Sequence, residues 1–102
     1  QAPAIMKALG ERLAKTPNLA KEVGAKVGVV VGDSAWLLDL TGAGAINEGS
    51  AAGAATTLTL SDDDLVALAK GEPLRELYQH GRVRIDGDTR VAHKLNFWKG
   101  LV

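Results

Sequence analysis

The chain of 102 residues contains no cysteine. That excludes disulfides, thiol chemistry and cysteine-ligated metals, and it suits a cytosolic setting. Aromatic residues make up only 4% of the chain, so the core must be built from Val, Leu and Ala. Neither sign of charge is in excess, with 12 Lys and Arg against 12 Asp and Glu. A general electrostatic grip on nucleic acid is therefore not expected. No apolar run approaches the roughly 20 residues that a membrane-spanning helix needs, and no signal-peptide pattern opens the chain. The first residue is Gln1, so a fragment or a processed form is expected.

What is present reads as a single domain over residues 1–102. Apolar residues are 46% and charged residues 24%, which is enough for a modest core without a metal or cross-link. The most informative stretch is 57–88, where the hydrophobic period changes from two to about 3.6 and back. Leu58 and Leu60 alternate with Thr57 and Thr59, a half-buried strand. Ser61 stands where a helix N-cap belongs, followed by Asp62, Asp63 and Asp64 in the first turn. A capping oxygen plus carboxylates at the positive helix end is a start signal. Leu65, Leu68 and Ala69 form the apolar stripe, and Gly71 stops the helix. Pro73 opens a second short helix with Leu74, Leu77 and Tyr78 at i, i+3, i+4. Val83 and Ile85 alternate with Arg82, Arg84 and Asp86, a strand with one wet face.

Upstream, a first helix is expected over 4–15, with Ile5, Leu9 and Leu13 on one side and a break at Thr16-Pro17-Asn18. Val27, Val29 and Val31 share one face of a strand over 26–31. Gly32-Asp33-Ser34 turns it into a second strand over 35–41 with Trp36, Leu38 and Leu40 on one face. A short third strand covers 45–48, and the small-residue stretch 49–55 leads to the fourth. The two valine and leucine faces are expected on one side of the sheet under helices. Asp39, Thr57, Thr59, Arg82 and Arg84 are expected on the wetter side. A last helix is expected from Thr89 to about Lys99. Its wheel puts Val91, Leu95, Trp98 and Val102 on one arc and Phe97 and Leu101 beside it. Ala92 falls on the opposite shoulder. That apolar arc is wider than the stripe of an ordinary surface helix, so the helix packs on two sides or faces a cavity.

The residues offer little catalytic chemistry. Asp62, Asp63 and Asp64 are consecutive and point in different directions around a helix, so helix-start electrostatics explains them better than a metal. His80 and His93 lack a spacing for a joint metal site. No serine sits in a Gly-x-Ser-x-Gly elbow. Gly42-x-Gly44 lacks the third glycine and the following helix of a dinucleotide fingerprint, and the Gly-Lys-Ser/Thr ending of a phosphate loop. Arg82 and Arg84 read as solvated charges paired with Asp86, without the exposed aromatics of a nucleic-acid platform.

The ordered set Trp36-Leu37-Leu38-Asp39-Leu40, Thr57-Leu58-Thr59-Leu60-Ser61-Asp62-Asp63-Asp64-Leu65, Gly71-Glu72-Pro73-Leu74 and Gly81-Arg82-Val83-Arg84-Ile85-Asp86-Gly87-Asp88 resembles the sterol carrier protein type-2 family. Two positions depart from the family's usual pattern: Ala55 stands where an Asp is frequent, and Leu77-Tyr78 where Ala-Phe is frequent. The resemblance implies an α+β fold, a five-stranded, mainly antiparallel sheet covered on one side by helices, with an apolar tunnel between sheet and helices. It implies non-catalytic binding and transfer of sterols, fatty acids or fatty acyl-CoA, without cofactor or metal. Under it the expected lipid-binding residues are Trp36, Leu65, Leu68, Leu77, Tyr78, Lys94, Leu95, Phe97, Trp98 and Leu101. Lys94 falls inside the apolar arc of the last helix. It either snorkels to water or meets the carboxylate or phosphate of a lipid at the tunnel mouth.

The expected partners are a lipid or acyl-CoA ligand, at most a transient membrane contact, and a β-oxidation-type enzyme by fusion or association. The expected location is cytoplasmic, or peroxisomal in a eukaryote, although Gly100-Leu101-Val102 is not a Ser-Lys-Leu-type targeting tripeptide. The competing reading is an accessory or dimerisation domain of a larger lipid-metabolising enzyme, with a closed core and no ligand of its own. A small α/β-hydrolase-like enzyme has the least support.

Overall fold

A computed structural model of the chain describes residues 2–41, 44–95 and 98–101. Five strands, β1 (Lys26–Val31), β2 (Ser34–Asp39), β3 (Ala45–Glu48), β4 (Thr56–Leu60) and β5 (Val83–Gly87), form one sheet in the order β3-β2-β1-β4-β5. β1–β2, β2–β3 and β4–β5 are antiparallel, and the central β1–β4 pair is parallel. Register places Val27 beside Leu38 and Thr56, and Val29 beside Trp36 and Leu58. Leu58 in turn faces Ile85, and Leu60 faces Val83. One face of the sheet is therefore a continuous aliphatic layer, the outcome expected from the alternation.

The helices cover that layer. They are α1 (Ala2–Lys15), α2 (Asn18–Val23), α3 (Asp62–Lys70), α4 (Leu74–Gln79) and α5 (Thr89–His93). Ile5, Leu9, Leu13, Leu65, Leu68 and Leu77 from these helices join Val27, Val29, Leu38, Leu40 and Leu58 in one core, each essentially without exposure. The expected apolar tunnel is not shown. Aliphatic side chains fill the space between sheet and helices.

The opposite face carries Lys26, Asp39, Thr57, Thr59, Arg84 and Asp86, half-buried or exposed. Its one fully covered point is Gly28. β3 lies at one edge and β4 beyond β1, so residues 49–55 must cross the outer face. They pass so close that a Cβ on Gly28 would stand 2.7 Å from the Ala51 Cβ and 2.9 Å from the Thr57 Oγ1. Only a residue without a side chain allows that approach.

Several boundaries differ from the expected ones. α1 begins at Ala2, because its N–H donates to the Asp62 carboxylate at 2.7 Å. α2 was not expected: it is six residues long, too short to show a period, and ends at Gly24 in a left-handed conformation (φ 64°). β2 stops at Asp39 instead of Thr41, since the Asp39 carboxylate accepts from the N–H and hydroxyl of Thr41 and turns the chain. Arg82 does not lie on the wet strand face. It donates to Asp64 at the start of α3 (2.7 Å from Nε) and reaches Glu72 at 3.7 Å. Arg84 does pair with Asp86, at 3.0 Å.

The largest correction concerns the last helix, which ends at His93 instead of running to Lys99. Lys94 and Leu95 donate to Val91 and Ala92, three residues back, so the final turn tightens out of α geometry. Ala92, expected on the opposite shoulder, is the buried residue of α5, and Val91 is half-buried. Phe97 and Val102, both placed on the expected helix, lie outside the described residues. Residues 98–101 are instead strapped to α3: the N–H groups of Gly100 and Leu101 both donate to the Ala69 carbonyl, at 2.7 and 3.2 Å.

Candidate functional site

The start of α3 fixes the geometry around it. Ser61 is the N-cap, its Oγ accepting from the Asp64 N–H at 3.1 Å while its hydroxyl donates to the Asp64 carboxylate at 3.0 Å. The three aspartates diverge: Asp62 takes the N–H of Ala2, Asp64 takes Arg82, and Asp63 is exposed. They serve the helix start and tie to it both α1 and Arg82, the residue before β5. Among the described residues no group of three His, Asp or Glu is placed to hold a metal.

From α3 the chain turns at Gly71-Glu72-Pro73 into α4. This elbow faces Leu95 and the terminal strap. Leu68, Leu74, Leu95 and Trp98, with Gly71, Glu72, Pro73 and Lys99, line a groove of about 160 Å³. Three of the expected lipid-binding residues, Leu68, Leu95 and Trp98, meet here. Leu65 and Leu77 are fully buried in the core cluster to which those three belong. Lys99 lies over the elbow: a Cβ on Gly71 would stand 3.2 Å from the Lys99 Cγ. Arg12 of α1 donates to the Lys99 carbonyl. The strap is thus held from α1 and from α3 at once.

The other expected residues are elsewhere. Trp36 borders a separate groove of about 390 Å³ between α1 and the β2–β3 edge, with Met6, Gly10, Gly44 and Ile46. Leu101 borders a third, about 360 Å³, beside Ala8, Arg12 and Lys15 of α1. Tyr78 does not join the apolar stripe of α4. It is 42% exposed and packs edge-on against His93 of α5, ring centroids 6.3 Å apart. Lys94 caps α5 and is exposed, and it does not line the Leu68–Trp98 groove. The helical wheel that put it inside an apolar arc does not apply once the helix stops at His93. Leu74, absent from the expected set, does line the groove; its place at the first turn of α4, directly after Pro73, was the available signal.

Two carboxylates lie below the ordinary range, neither in a groove. The Thr41 hydroxyl and N–H stabilise charged Asp39, and the Arg90 side chain and N–H stabilise charged Asp88 at the cap of α5. These are turn and cap interactions. The Leu68–Trp98 groove combines aliphatic and indole side chains, the kind that exclude water from an apolar ligand, with the charged Glu72 and Lys99, whereas the groove beside Leu101 is lined largely by Glu11, Arg12, Lys15 and Thr16.

A mixed five-stranded sheet with a one-sided aliphatic layer, and a leucine–tryptophan groove at a helix elbow, defines a small α+β domain built around apolar surface. The sequence model of the SCP-2 sterol transfer family matches residues 6–97, so the chain belongs to that family. Among solved structures, the sterol carrier protein domain 2 of Helicoverpa armigera is 29% identical. That likeness covers 88% of this chain and 78% of that one, with a TM-score of 0.71. Palmitated SCP2L2 of Aedes aegypti is 21% identical over 90% of this chain and 87% of that one, with a TM-score of 0.76. The stereoselective inverting sec-alkylsulfatase Pisa1 of Pseudomonas is 22% identical over 88% of this chain but only 16% of its own, with a TM-score of 0.63. A comparison with curated protein sequences found no match.

Proposed function

We propose that this chain is a non-catalytic module that binds and transfers lipids, among them sterols, fatty acids or fatty acyl-CoA. The observation that carries this is membership of the SCP-2 sterol transfer family over nearly the whole chain. The aliphatic layer between sheet and helices supplies the matching chemistry. Palmitated SCP2L2 of Aedes aegypti, which shares this fold, favours an acyl chain as one ligand. The ligand's tail lies among Leu65, Leu68, Leu77, Leu95 and Trp98, entering where the Gly71–Pro73 elbow meets the terminal strap. The closed core must open for this, and the strap, held to α3 through the Ala69 carbonyl, is the piece whose release exposes Trp98 and Leu101. Chain length is weakly discriminated by such a pocket, since one methylene is worth only about 1–3 kcal/mol.

Organic extraction and mass spectrometry of the purified protein test the reading, together with titration by a fluorescent fatty acid and a fluorescent sterol. Co-purified lipid and saturable binding are expected, and Trp98→Ala should weaken both ligands by removing the groove's wall. No uptake of either ligand by the wild-type protein would overturn the proposal.

The second reading, an accessory domain of a larger enzyme with no ligand of its own, is favoured by the Pisa1 likeness, in which this fold is a small part of a much longer chain. A β-oxidation-type enzyme is the partner class proposed there, in the cytosol or the peroxisome. Absence of lipid uptake together with activity loss on deleting the domain from its parent enzyme would select it.

A further inference from the structure

The sheet has two edges, and they are finished differently. At β5, Val83 is buried and Arg84 is ion-paired with Asp86. β3 is exposed along its length, with only Ile46 half-buried. The Gly49 N–H donates to the Ala35 carbonyl at 2.8 Å, and Asn47 and Ala45 lie opposite Leu37 and Asp39. In an antiparallel ladder alternate residues bond to the same neighbour. Ala45 and Asn47 therefore bond to β2, and the N–H and C=O groups of Ile46 and Glu48 point away from the sheet. Among the described residues no helix or loop backbone bonds to them. Such a row of backbone groups is a template for one more strand.

Beside that edge, on the helix side, lies the groove of about 390 Å³ between α1 and β3. Ile46 and Glu48 border it, since they stand opposite Leu38 and Trp36 of the inner layer. Met6 and Trp36 form its floor, and Lys7 and Gly10 border it from α1. Gly10 sits inside a helix of 14 residues, where glycine is the poorest choice after proline. Packing does not require it: a Cβ there would meet only the Ile46 Cδ1, at an ordinary 3.7 Å. The missing side chain leaves the groove open alongside β3. This groove shares no residue with the Leu68–Trp98 groove.

We propose that β3 and this groove are a docking site for an extended peptide of a partner protein, added antiparallel to β3 as a sixth strand. Main-chain bonds to Ile46 and Glu48 hold the peptide, and the groove beside them selects its side chains. The peptide residue opposite Ile46 points into the groove and is apolar. The residue opposite Glu48, two positions earlier in the peptide, is basic, because opposite charges directly across a ladder attract. Neither Glu48 nor Lys7 has an ion-pair partner among the described residues. Lys7 on the α1 side disfavours a run of basic residues, so the pattern is a single basic residue, any residue, then an apolar one. A lipid in this groove would leave the outward backbone groups of β3 without partners from the ligand, whereas an extended peptide satisfies them.

Fluorescence anisotropy with a labelled, end-capped hexapeptide, Thr-Lys-Thr-Ile-Thr-Thr, measures the docking. Saturable binding by the wild-type protein is expected. Methylating the backbone nitrogen of the peptide's Ile removes a bond to β3 and should weaken binding about tenfold. Methylating the nitrogen of the Thr between Lys and Ile, which points away from β3, should change it little. A peptide with Glu in place of Lys should bind the wild-type protein more weakly, and Glu48→Lys should reverse that preference, by about fivefold each way. Glu48→Pro removes an outward N–H and no ladder bond, so it should lose about tenfold in affinity and keep the wild-type circular dichroism. Gly10→Leu should fill the groove and abolish binding, again with wild-type circular dichroism. No saturable binding, equal loss from the two methylated peptides, or an unchanged preference in Glu48→Lys would overturn the proposal. A wild-type dimer that Glu48→Pro converts to a monomer would also overturn it, since the occupant of the β3 edge would then be a second copy of this chain.

Discussion

Gly87 shows how much a single position can carry. It ends β5 with φ at 99°, and a Cβ there would stand 2.4 Å from the Ala55 carbonyl oxygen and 3.1 Å from the Thr56 Cα. The same Ala55 carbonyl accepts the Asp88 N–H at 3.0 Å, so the start of β4 and the end of β5 are locked at one point. Gly87→Ala should therefore cost more than the roughly 1–3 kcal/mol of a strained backbone conformation, read as a fall in the urea midpoint. A midpoint within error of wild type would show that the end of β5 relaxes freely. Tyr78 makes the opposite point. Its i, i+4 spacing from Leu74 reads as core, but a six-residue helix buries only one narrow side, and Leu74 and Leu77 fill it.

At the scale of elements, α3 is the piece most completely specified by its own residues. Ser61→Ala removes the cap to the Asp64 N–H and the hydroxyl bond to the Asp64 carboxylate, so a loss of about 0.5–2 kcal/mol is expected. An unchanged denaturation midpoint and slope would reject the cap, and ligand uptake should not change. The strands around β1 and the helix at Ser61 were legible in the residues because local alternation and capping chemistry agree with the tertiary fold there. The stretch after His93 was not. Its path is set by the Ala69 carbonyl on α3 and by Arg12 on α1, partners roughly 30 and 90 residues away that no local pattern reveals. Leu68, Leu95 and Trp98 were still recognisable as a group, because each is apolar and buried whichever way the chain runs between them.

At the scale of the molecule, the sheet order has a consequence for how the chain can be divided. β1, β2 and β3 are contiguous in sequence and pair only antiparallel among themselves, and β4 and β5 do the same. The two groups meet at a single parallel ladder, β1–β4, beneath the crossing segment 49–55. The molecule is thus two consecutive halves zipped along one seam, with α1 from the first half laid against α3 of the second. A chain cut within residues 49–53 should give two fragments, each disordered or weakly structured alone, that recover native-like circular dichroism when mixed. No gain on mixing would mean that the seam closes only when the halves share a chain, and the crossing segment would then be a tether that sets the local concentration of β1 and β4.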